Sequence, residues 1–263
     1  MVKFIDGKAI AEKIKDDLTK KIFAFKGSRP NLAIILVGNR EDSKLYVSLK
    51  EREGKKVGID THLYNLSHET SEDELLEVIN FLNNDELIDG ILIQLPLPAK
   101  FNTDKIIAAI NPLKDVDGFH PKHPDYIVSP VVAAVQACLD EVNVSEKDKV
   151  VSIFYNSEVF ADNLKKMLIA KKYKILPNKD SNQASVVVSA LGQPKKINKN
   201  NIKSGAILID IGITKIDGRV YGDIDFLSVK DIASYLTPVP GGIGPMTIAF
   251  LFKNVWEVFI RKQ

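Results

Sequence analysis

Cysteine is almost absent from this chain of 263 residues, and histidine is scarce. Cys138 is the only cysteine, so no intramolecular disulfide can form, and a reducing compartment such as the cytoplasm is expected. The four histidines have no acidic or cysteine partners at the spacing of a metal site. We therefore expect no metal, and surface roles for His62, His68, His120 and His123.

The chain also lacks a block of charge of one sign and a long apolar segment at its start. Its formal net charge is +2, and its lysines are scattered along the sequence. This pattern argues against a nucleic-acid partner and suits a small anionic substrate. Residues 1–15 alternate lysines with Asp6 and Glu12, so we expect neither a signal peptide nor a membrane span there. A cytoplasmic protein that does not bind membranes is predicted.

The first half alternates helical and strand patterns. Continuous apolar strands between amphipathic helices are typical of a parallel sheet covered on both faces, and Ser71 and Glu74 have the spacing of a capping box. The predicted helices are Ile10 to Phe25, Ser43 to Val57 and Thr70 to Asn83, and the predicted strands are Leu32 to Val37, Asp60 to Leu66 and Ile88 to Gln94.

The second half repeats this alternation after a connection rich in proline and histidine. A helix from Val131 to Val142 leads into strands at Val150 to Phe154, Tyr173 to Leu176, Val186 to Ala190 and Ile207 to Ile211. Their spacing predicts a Rossmann-like parallel sheet. The predicted fold class is therefore α/β, with two α/β domains and a cleft between them. The first domain covers residues 1–123 and is completed by residues 246–263, whose helix runs from about Ile248 to Arg261, and the second covers residues 124–245.

Four segments carry side chains suited to chemistry. Tyr46 and Lys50 lie four residues apart, so they share one helix face, although such a pair is also typical of a solvated helix edge. Gln94 ends an apolar strand where α/β sheets bind ligands, although it can also cap its own strand. Asp115 and Asp117 lie in a turn, which by itself is ordinary Asp/Gly turn chemistry. The fourth segment, residues 236–247, is a loop with bare glycines that permits close approach of a ligand.

Together these segments resemble the methylenetetrahydrofolate dehydrogenase/methenyltetrahydrofolate cyclohydrolase family over nearly the whole chain. The motifs that carry the resemblance are SKLYVSLK at 43–50, DGILIQLPLP at 89–98, KDVDGFHP at 114–121 and the loop ending at Thr247. The resemblance implies that Tyr46 stacks on the pterin, Lys50 is the central catalytic group, Gln94 orients Lys50, and Asp117 binds the amino edge of the pterin. It further implies that the substrate contacts Pro240, Gly241, Gly242 and Thr247.

The second domain departs from the pattern of this family. Where relatives have a Gly-Arg-Ser turn, the chain has Tyr155-Asn156-Ser157, which lacks the arginine suited to a 2′-phosphate. Relatives also have Pro-Cys-Thr-Pro where this chain has Pro130-Val131-Val132-Ala133, and the segment from Pro177 to Ser185 is too short for an average helix with its turns. The resemblance still implies cofactor contacts at Asn156, Ser157, Gly192, Ile211, Gly212 and Ile213.

Three functions remain open at this point. The first is a bifunctional enzyme of folate one-carbon metabolism that oxidises 5,10-methylenetetrahydrofolate with NADP, or with NAD, and hydrolyses the product to 10-formyltetrahydrofolate. The second is a cyclohydrolase with a decayed dinucleotide site. The third is a non-catalytic folate-binding protein, although such a binder would not need the lysine and its amide. The resemblance also implies tetrahydrofolate derivatives as ligands and a homodimer.

Overall fold

The computed structural model describes residues 2–263, without the side chain of Asp42. The chain folds into two compact units. We call residues 13–130 and 248–263 the folate-side unit, after the resemblance above, and residues 2–12 and 131–247 the nucleotide-side unit. The opening residues thus group with the nucleotide-side unit, whereas the sequence assigned them to the first domain. The reason is a short first strand that pairs with the sheet of the nucleotide-side unit.

The folate-side unit is built on a parallel sheet of order β3-β2-β4. Every residue of β2 except the first is buried, because helices cover both faces of the sheet. Leu32, Ile34 and Leu36 face one core cluster and the alternate residues of β2 face the other. The strands are β2 (Asn31–Val37), β3 (Asp60–Leu66) and β4 (Gly90–Ile93), and the helices are α1 (Gly7–Ala24, shared with the nucleotide-side unit), α2 (Glu41–Val57), α3 (Glu72–Asn84) and α4 (Thr103–Ala108).

The last helix, α8 (Ile243–Lys262), is long and apolar. By length and composition it is the one described helix that could cross a membrane, yet 61% of its most apolar window is buried in the fold. From Ile248 onward its apolar residues, Phe252 and Phe259 among them, pack into the core cluster of the folate-side unit that also contains Leu32 and Ile34. We therefore regard α8 as a core helix.

The nucleotide-side unit contains a six-stranded sheet of order β1-β11-β8-β7-β5-β6, in which every pair is parallel. The order places β5 between β6 and β7, so the switch point of this Rossmann-like sheet lies at the β5/β7 pair. The strands are β1 (Lys3–Phe4), β5 (Val150–Tyr155), β6 (Lys174–Leu176), β7 (Val186–Ala190), β8 (Ile207–Asp210) and β11 (Tyr235–Leu236), with a separate hairpin of β9 (Thr214–Ile216) and β10 (Arg219–Tyr221).

The helices of the nucleotide-side unit are α5 (Pro130–Val142, whose first residue belongs to the folate-side unit), α6 (Glu158–Ala170) and α7 (Phe226–Val229). Between β6 and β7 the chain forms only a short 3-10 helix at Asn178–Gln183. The sequence predicted this, because the segment is too short for an average α-helix. Further 3-10 turns lie at Glu146–Asp148 and Lys199–Asn201.

We expect Ser71→Ala to destabilise the folate-side unit by about 1 kcal/mol. The Ser71 hydroxyl accepts a hydrogen bond from Glu74 N at 3.2 Å, and the Glu74 carboxylate accepts one from Ser71 N at 2.7 Å, so the predicted capping box is present. The alanine variant leaves a helix N–H without its partner. Urea denaturation measures the loss, with Ser48→Ala on the exposed face of α2 as the control. Equal stability of Ser71→Ala and the parent would contradict the capping role.

Candidate active site

Lys50 and Gln94 form the central contact of the candidate site in the folate-side unit. Lys50 lies on α2 and Gln94 directly follows β4. Lys50 Nζ donates to Gln94 Oε1 at 2.7 Å, while Gln94 Nε2 donates to the carbonyl of Leu95 at 2.8 Å. The second bond fixes the amide so that its oxygen faces the amine. The structure thus brings Gln94 and Lys50 together, and the role of Gln94 in orienting Lys50 stays a prediction.

The sheet itself places Gln94. Ile35 pairs with Ile93 across β2 and β4, and Gln94 N continues the ladder by donating to Ile35 O at 2.8 Å. The side chain thus emerges at the carboxyl edge of the parallel sheet, where this class of fold binds ligands. Tyr46, four residues before Lys50 on α2, is half-buried.

Asp117 reaches the same place from a turn that Asp115 organises. The buried Asp115 carboxylate accepts hydrogen bonds from the backbone N–H groups of Asp117 and Gly118, each at 3.1 Å, and of His120 at 2.8 Å. Gly118 has φ +67°, which suits glycine because side chains rarely adopt it. Asp115 is thus a structural residue, and Asp117 is left to face the site.

Lys50 and Asp117 influence each other electrostatically. Removal from water lowers the pKa of Lys50 below its usual value, while the charge of Asp117 raises it in part. Burial raises the pKa of Asp117 to about 7, against the lowering effect of Lys50 and with a further increase from Asp115. The lowered pKa favours the neutral form of the Lys50 amine, which is suited to accept a proton.

The other predicted substrate residues belong to the loop that precedes α8. Gly241 has φ +109°, and a Cβ at Gly242 would overlap the backbone of Pro238. Glycine is therefore required at both positions. The prediction that α8 begins near residue 248 is wrong, because the helix begins at Ile243 with Pro245 in its first turn, where proline is tolerated.

Thr247 consequently lies inside α8, and its hydroxyl donates to Gly244 O at 2.7 Å. Pro240 follows a cis peptide in the loop. Pro240, Gly241, Gly242 and Thr247 are grouped with the nucleotide-side unit.

The predicted cofactor residues gather at the carboxyl edge of the sheet of the nucleotide-side unit. Asn156 follows β5, and its amide donates to the carbonyl of Leu191, which follows β7, at 2.9 Å. This contact spans the switch point of the sheet, where dinucleotides bind. The hydroxyl of Ser157 caps α6 by accepting from Phe160 N. Gly192 has φ +65°, and a Cβ added at this position would have no neighbouring atom closer than 4.0 Å. The carbonyl of Gly192 accepts a hydrogen bond from the hydroxyl of Thr214.

Two buried carboxylates, which the sequence analysis did not assign, hold these loops. Asp223 accepts from Ser189 Oγ at 2.8 Å, Leu191 N at 2.6 Å and Gln193 N at 2.8 Å. Its contacts fix the loop that contains Gly192. The carboxylate also fills the space that a side chain at Gly212 would need.

Asp210, at the end of β8, is the second carboxylate. It accepts from the backbone N–H groups of Gly212, Asp223 and Ile224 at 2.9–3.0 Å. Burial raises the pKa of Asp210 to about 7, and Asp223 raises it further, while these N–H donors lower it. The backbone of Ile211 and Gly212 is thereby held beside β7, and Ile213 remains exposed.

The prediction of surface roles fails for His120, which is 5% exposed. Its Nδ1 accepts from Lys122 N at 2.9 Å, so Nε2 carries the proton and donates to Ala108 O at 3.2 Å. Asp115 draws the backbone of His120 inward, which explains the burial. Among the described residues 2–263, no group of three or more His, Cys, Asp or Glu could hold a metal ion.

Comparison with known proteins covers both units. Residues 5–117 match the family described as the tetrahydrofolate dehydrogenase/cyclohydrolase catalytic domain, and residues 129–263 match its NAD(P)-binding domain. The "Bifunctional protein FolD" of Geotalea daltonii is 41% identical, with all of both chains covered.

Two solved structures agree with these matches. A Campylobacter jejuni structure, a bifunctional enzyme FolD-methylenetetrahydrofolate dehydrogenase/cyclohydrolase, superposes with a TM-score of 0.93 at 32% identity over 100% of each chain. A Trypanosoma brucei methylenetetrahydrofolate dehydrogenase-cyclohydrolase, complexed with NADP cofactor and inhibitor, gives 0.92 at 30% identity over 99% of this chain and 98% of that one. The bifunctional interpretation is favoured over a hydrolase alone, and the chain belongs to the tetrahydrofolate dehydrogenase/cyclohydrolase family, with both its catalytic and its NAD(P)-binding domain.

Proposed function

We propose that Lys50, Gln94, Tyr46 and Asp117 form one folate site at which this chain oxidises 5,10-methylenetetrahydrofolate to 5,10-methenyltetrahydrofolate with NADP and hydrolyses the product to 10-formyltetrahydrofolate. The observation that carries the proposal is the 2.7 Å contact between Lys50 Nζ and Gln94 Oε1, in surroundings that lower the pKa of Lys50. A lysine held in this way has a proton-handling role that a simple folate binder does not need.

The proposed hydrolysis uses the neutral form of Lys50, which its lowered pKa favours. The amine accepts a proton from water as the water oxygen bonds to the methenyl carbon. The ammonium then donates this proton to the ring nitrogen as the bond from carbon to that nitrogen breaks, and the hydroxyl proton leaves as the formyl group forms. The reaction consumes one water and releases one proton. Gln94 keeps the amine aligned for both transfers.

Substrate binding is assigned to Asp117 and Tyr46. An ionised Asp117 can accept two parallel hydrogen bonds from the aminopyrimidinone edge of the pterin, and the ring of Tyr46 offers apolar area to the pterin face. The pKa of Asp117, about 7, lets the carboxylate ionise near neutral pH.

The residues at the β5/β7 switch point fit a dinucleotide. Gly192 leaves the backbone open for close approach, and Ser157 begins α6, whose N-terminus favours a negative group. A nicotinamide cofactor held there would supply the acceptor for the hydride that the methylene carbon of the folate loses. The lowered pKa of Lys50 favours its neutral form, which would assist this step because an ammonium would repel the cation that develops on the folate.

One observation favours the cyclohydrolase-only alternative. Asn156 stands where relatives have arginine, and its amide is already bound to Leu191 O. A paired assay separates the two functions. Purified protein is given methenyltetrahydrofolate to follow hydrolysis, and methylenetetrahydrofolate with NADP or NAD to follow reduction of the nucleotide. Hydrolysis without any nucleotide reduction would remove the dehydrogenase half of the proposal, and absence of both would remove the whole.

We expect Asp223→Asn to raise the KM for NADP about fivefold. The amide can offer only one acceptor oxygen to three donors and turns an N–H group towards them, so the loop around Gly192 loses its support. Steady-state kinetics measures the change, with Asp231→Asn, a residue outside these contacts, as the matched control. An unchanged KM for NADP would contradict this positioning role.

The proposal also covers the oligomeric state, the cellular compartment and the ligands of the protein. The family resemblance supports a homodimer, which sedimentation velocity tests. The single buried Cys138 is compatible with a reducing cytoplasm. Tetrahydrofolate derivatives are the proposed ligands, and neither nucleic acid nor membrane is proposed as a partner.

A further inference from the structure

The nucleotide-side unit contains a cavity whose lining residues have no role in the functions proposed above. A cavity of about 340 Å³ lies where β5 and β6 end, between these strands and α6. A cavity of this volume lies at the small end of the range for ligand sites. The lining residues are Ile153, Tyr155, Lys165, Ile175, Leu176, Pro177 and Asn178.

The position of this cavity in the fold indicates which part of a dinucleotide it can contact. In Rossmann-like units the strand that follows the first helix ends beside the adenosine ribose, about 20 residues beyond the turn that begins that helix. Here that turn is at Ser157 and the strand is β6, which ends at Leu176. The cavity therefore lies where the ribose 2′ position is expected.

The charge of the cavity distinguishes between the two nicotinamide cofactors. An enzyme that prefers NAD has Asp or Glu at the end of this strand to bind the 2′-hydroxyl. This chain has Pro177 and Asn178 there, and the Asn178 side chain accepts from Ser152 Oγ at 3.1 Å. Of the described lining residues, Lys165 is the only charged one. The cavity thus offers a cation and no carboxylate.

Lys165 is held against the cavity wall by Tyr155. Its Nζ lies 3.5 Å from Tyr155 Oη and 5.0 Å from the ring centroid. It also pairs with the exposed Asp162 at 3.3 Å, and its side chain is 33% exposed. An ammonium on an aromatic face retains donors for a further anion.

We propose that Lys165, positioned by Tyr155, binds the 2′-phosphate of NADP in this cavity and takes over the role of the missing arginine. The inference rests on the proposed function, because it assigns the cofactor specificity of the dehydrogenase reaction. In this assignment the cation comes from within α6 and not from the turn that precedes the helix.

The decisive experiment compares adenosine 2′,5′-bisphosphate with adenosine 5′-monophosphate, and NADP with NAD, by titration calorimetry on the full chain. The parent is expected to bind the 2′-phosphorylated member of each pair more tightly. Lys165→Met keeps the apolar stem and removes the charge, so we expect about a tenfold loss for the two 2′-phosphorylated ligands only. Tyr155→Phe, which keeps the ring, is expected to cause a smaller loss with the same selectivity.

The matched control is Lys166→Met, which removes the neighbouring exposed lysine from the same helix. It should leave all four affinities unchanged, and a thermal melt of each variant checks folding. If Lys165→Met and Lys166→Met weaken NADP binding equally, only the overall charge of the protein matters and the assignment of Lys165 to the 2′-phosphate is wrong. If Lys165→Met weakens the binding of NAD as much as that of NADP, Lys165 does not bind the 2′-phosphate.

Failure of the proposed function gives a different result. A parent protein that binds none of the four ligands would overturn both the dehydrogenase half of the proposed function and the assignment of Lys165. A parent that binds NADP and NAD, with a ratio of affinities that Lys165→Met does not change, would overturn the assignment of Lys165 alone.

Discussion

Lys50→Met is expected to lower the rate of methenyltetrahydrofolate hydrolysis by about 10²–10⁴-fold, the range of a general acid–base group. The methionine preserves the length of the side chain but cannot accept the proton of the attacking water. Gln94 Oε1 also loses its partner at 2.7 Å. Because the amine transfers protons and does not anchor the pterin, the substitution should lower kcat and change the folate KM little.

Stopped-flow absorbance of the methenyl group measures this loss. Lys55→Met, an exposed lysine on the same helix, is the matched control and should retain the parental rate. Hydrolysis by Lys50→Met within a few-fold of the parent would exclude Lys50 as the proton-handling group.

Asp117→Asn is expected to raise the KM for the folate by about ten- to a hundredfold, with a smaller effect on kcat. The amide keeps the shape of the side chain but loses the charge that strengthens both hydrogen bonds to the pterin. Initial rates over a range of folate concentrations measure the change. Asp125→Asn, in an exposed position further along the same connection, is the control. An unchanged KM would mean that the pterin binds elsewhere.

The same variant has a distinctive effect on pH dependence. Since the pKa of Asp117 is about 7 and only the ionised form accepts both bonds, the folate KM of the parent should rise as the pH falls below about 7. The asparagine variant should lose this dependence. The charge of Asp117 also raises the pKa of Lys50, so its removal should move the acidic limb of the kcat profile to lower pH. A purely structural role would produce neither change.

Local sequence patterns were sufficient to predict the central elements. β3 and β7 have the predicted bounds, and β2 differs by one residue. The apolar residues of β2 and β7 have no alternative to a covered sheet, whereas β3 is a half-exposed edge strand. The capping box at Ser71 and the end of α2 at Val57 were equally predictable, since each depends on a few neighbouring residues.

Elements that depend on distant partners were missed. β1 and β11 contain two residues each, too few to show a period, and they exist because β1 pairs with β11 and β11 pairs with β8. The β9–β10 hairpin did have a usable signal, Asp217-Gly218, whose φ values of +49° and +76° suit the tight turn. It was overlooked because the flanking strands have only three residues each.

The candidate site residues were predicted in a different way. Tyr46, Lys50, Gln94 and Asp117 were named because their motifs resemble those of the family, since their spacing alone fits a solvated helix edge, a strand cap or an Asp/Gly turn equally well. Asp223 and Asp210 did not stand out, because their role depends on backbone N–H groups from other loops. Lys165 could not be recognised from sequence at all, since only the packing of α6 beside β5 and β6 brings it to a cavity.

The pairing of β1 with β11 also affects how the chain can be made. The edge strand β1 is synthesised long before Tyr235 and Leu236, the residues with which it pairs. The folate-side core in turn lacks residues 248–263 until they too have been made. The nucleotide-side unit therefore cannot complete its folding until the residues up to Thr247 have been made, and the folate-side unit must wait for the rest of α8. A nascent chain must keep apolar surface such as Leu32 and Ile34 protected until then, and a premature stop before α8 leaves the folate-side core unfinished.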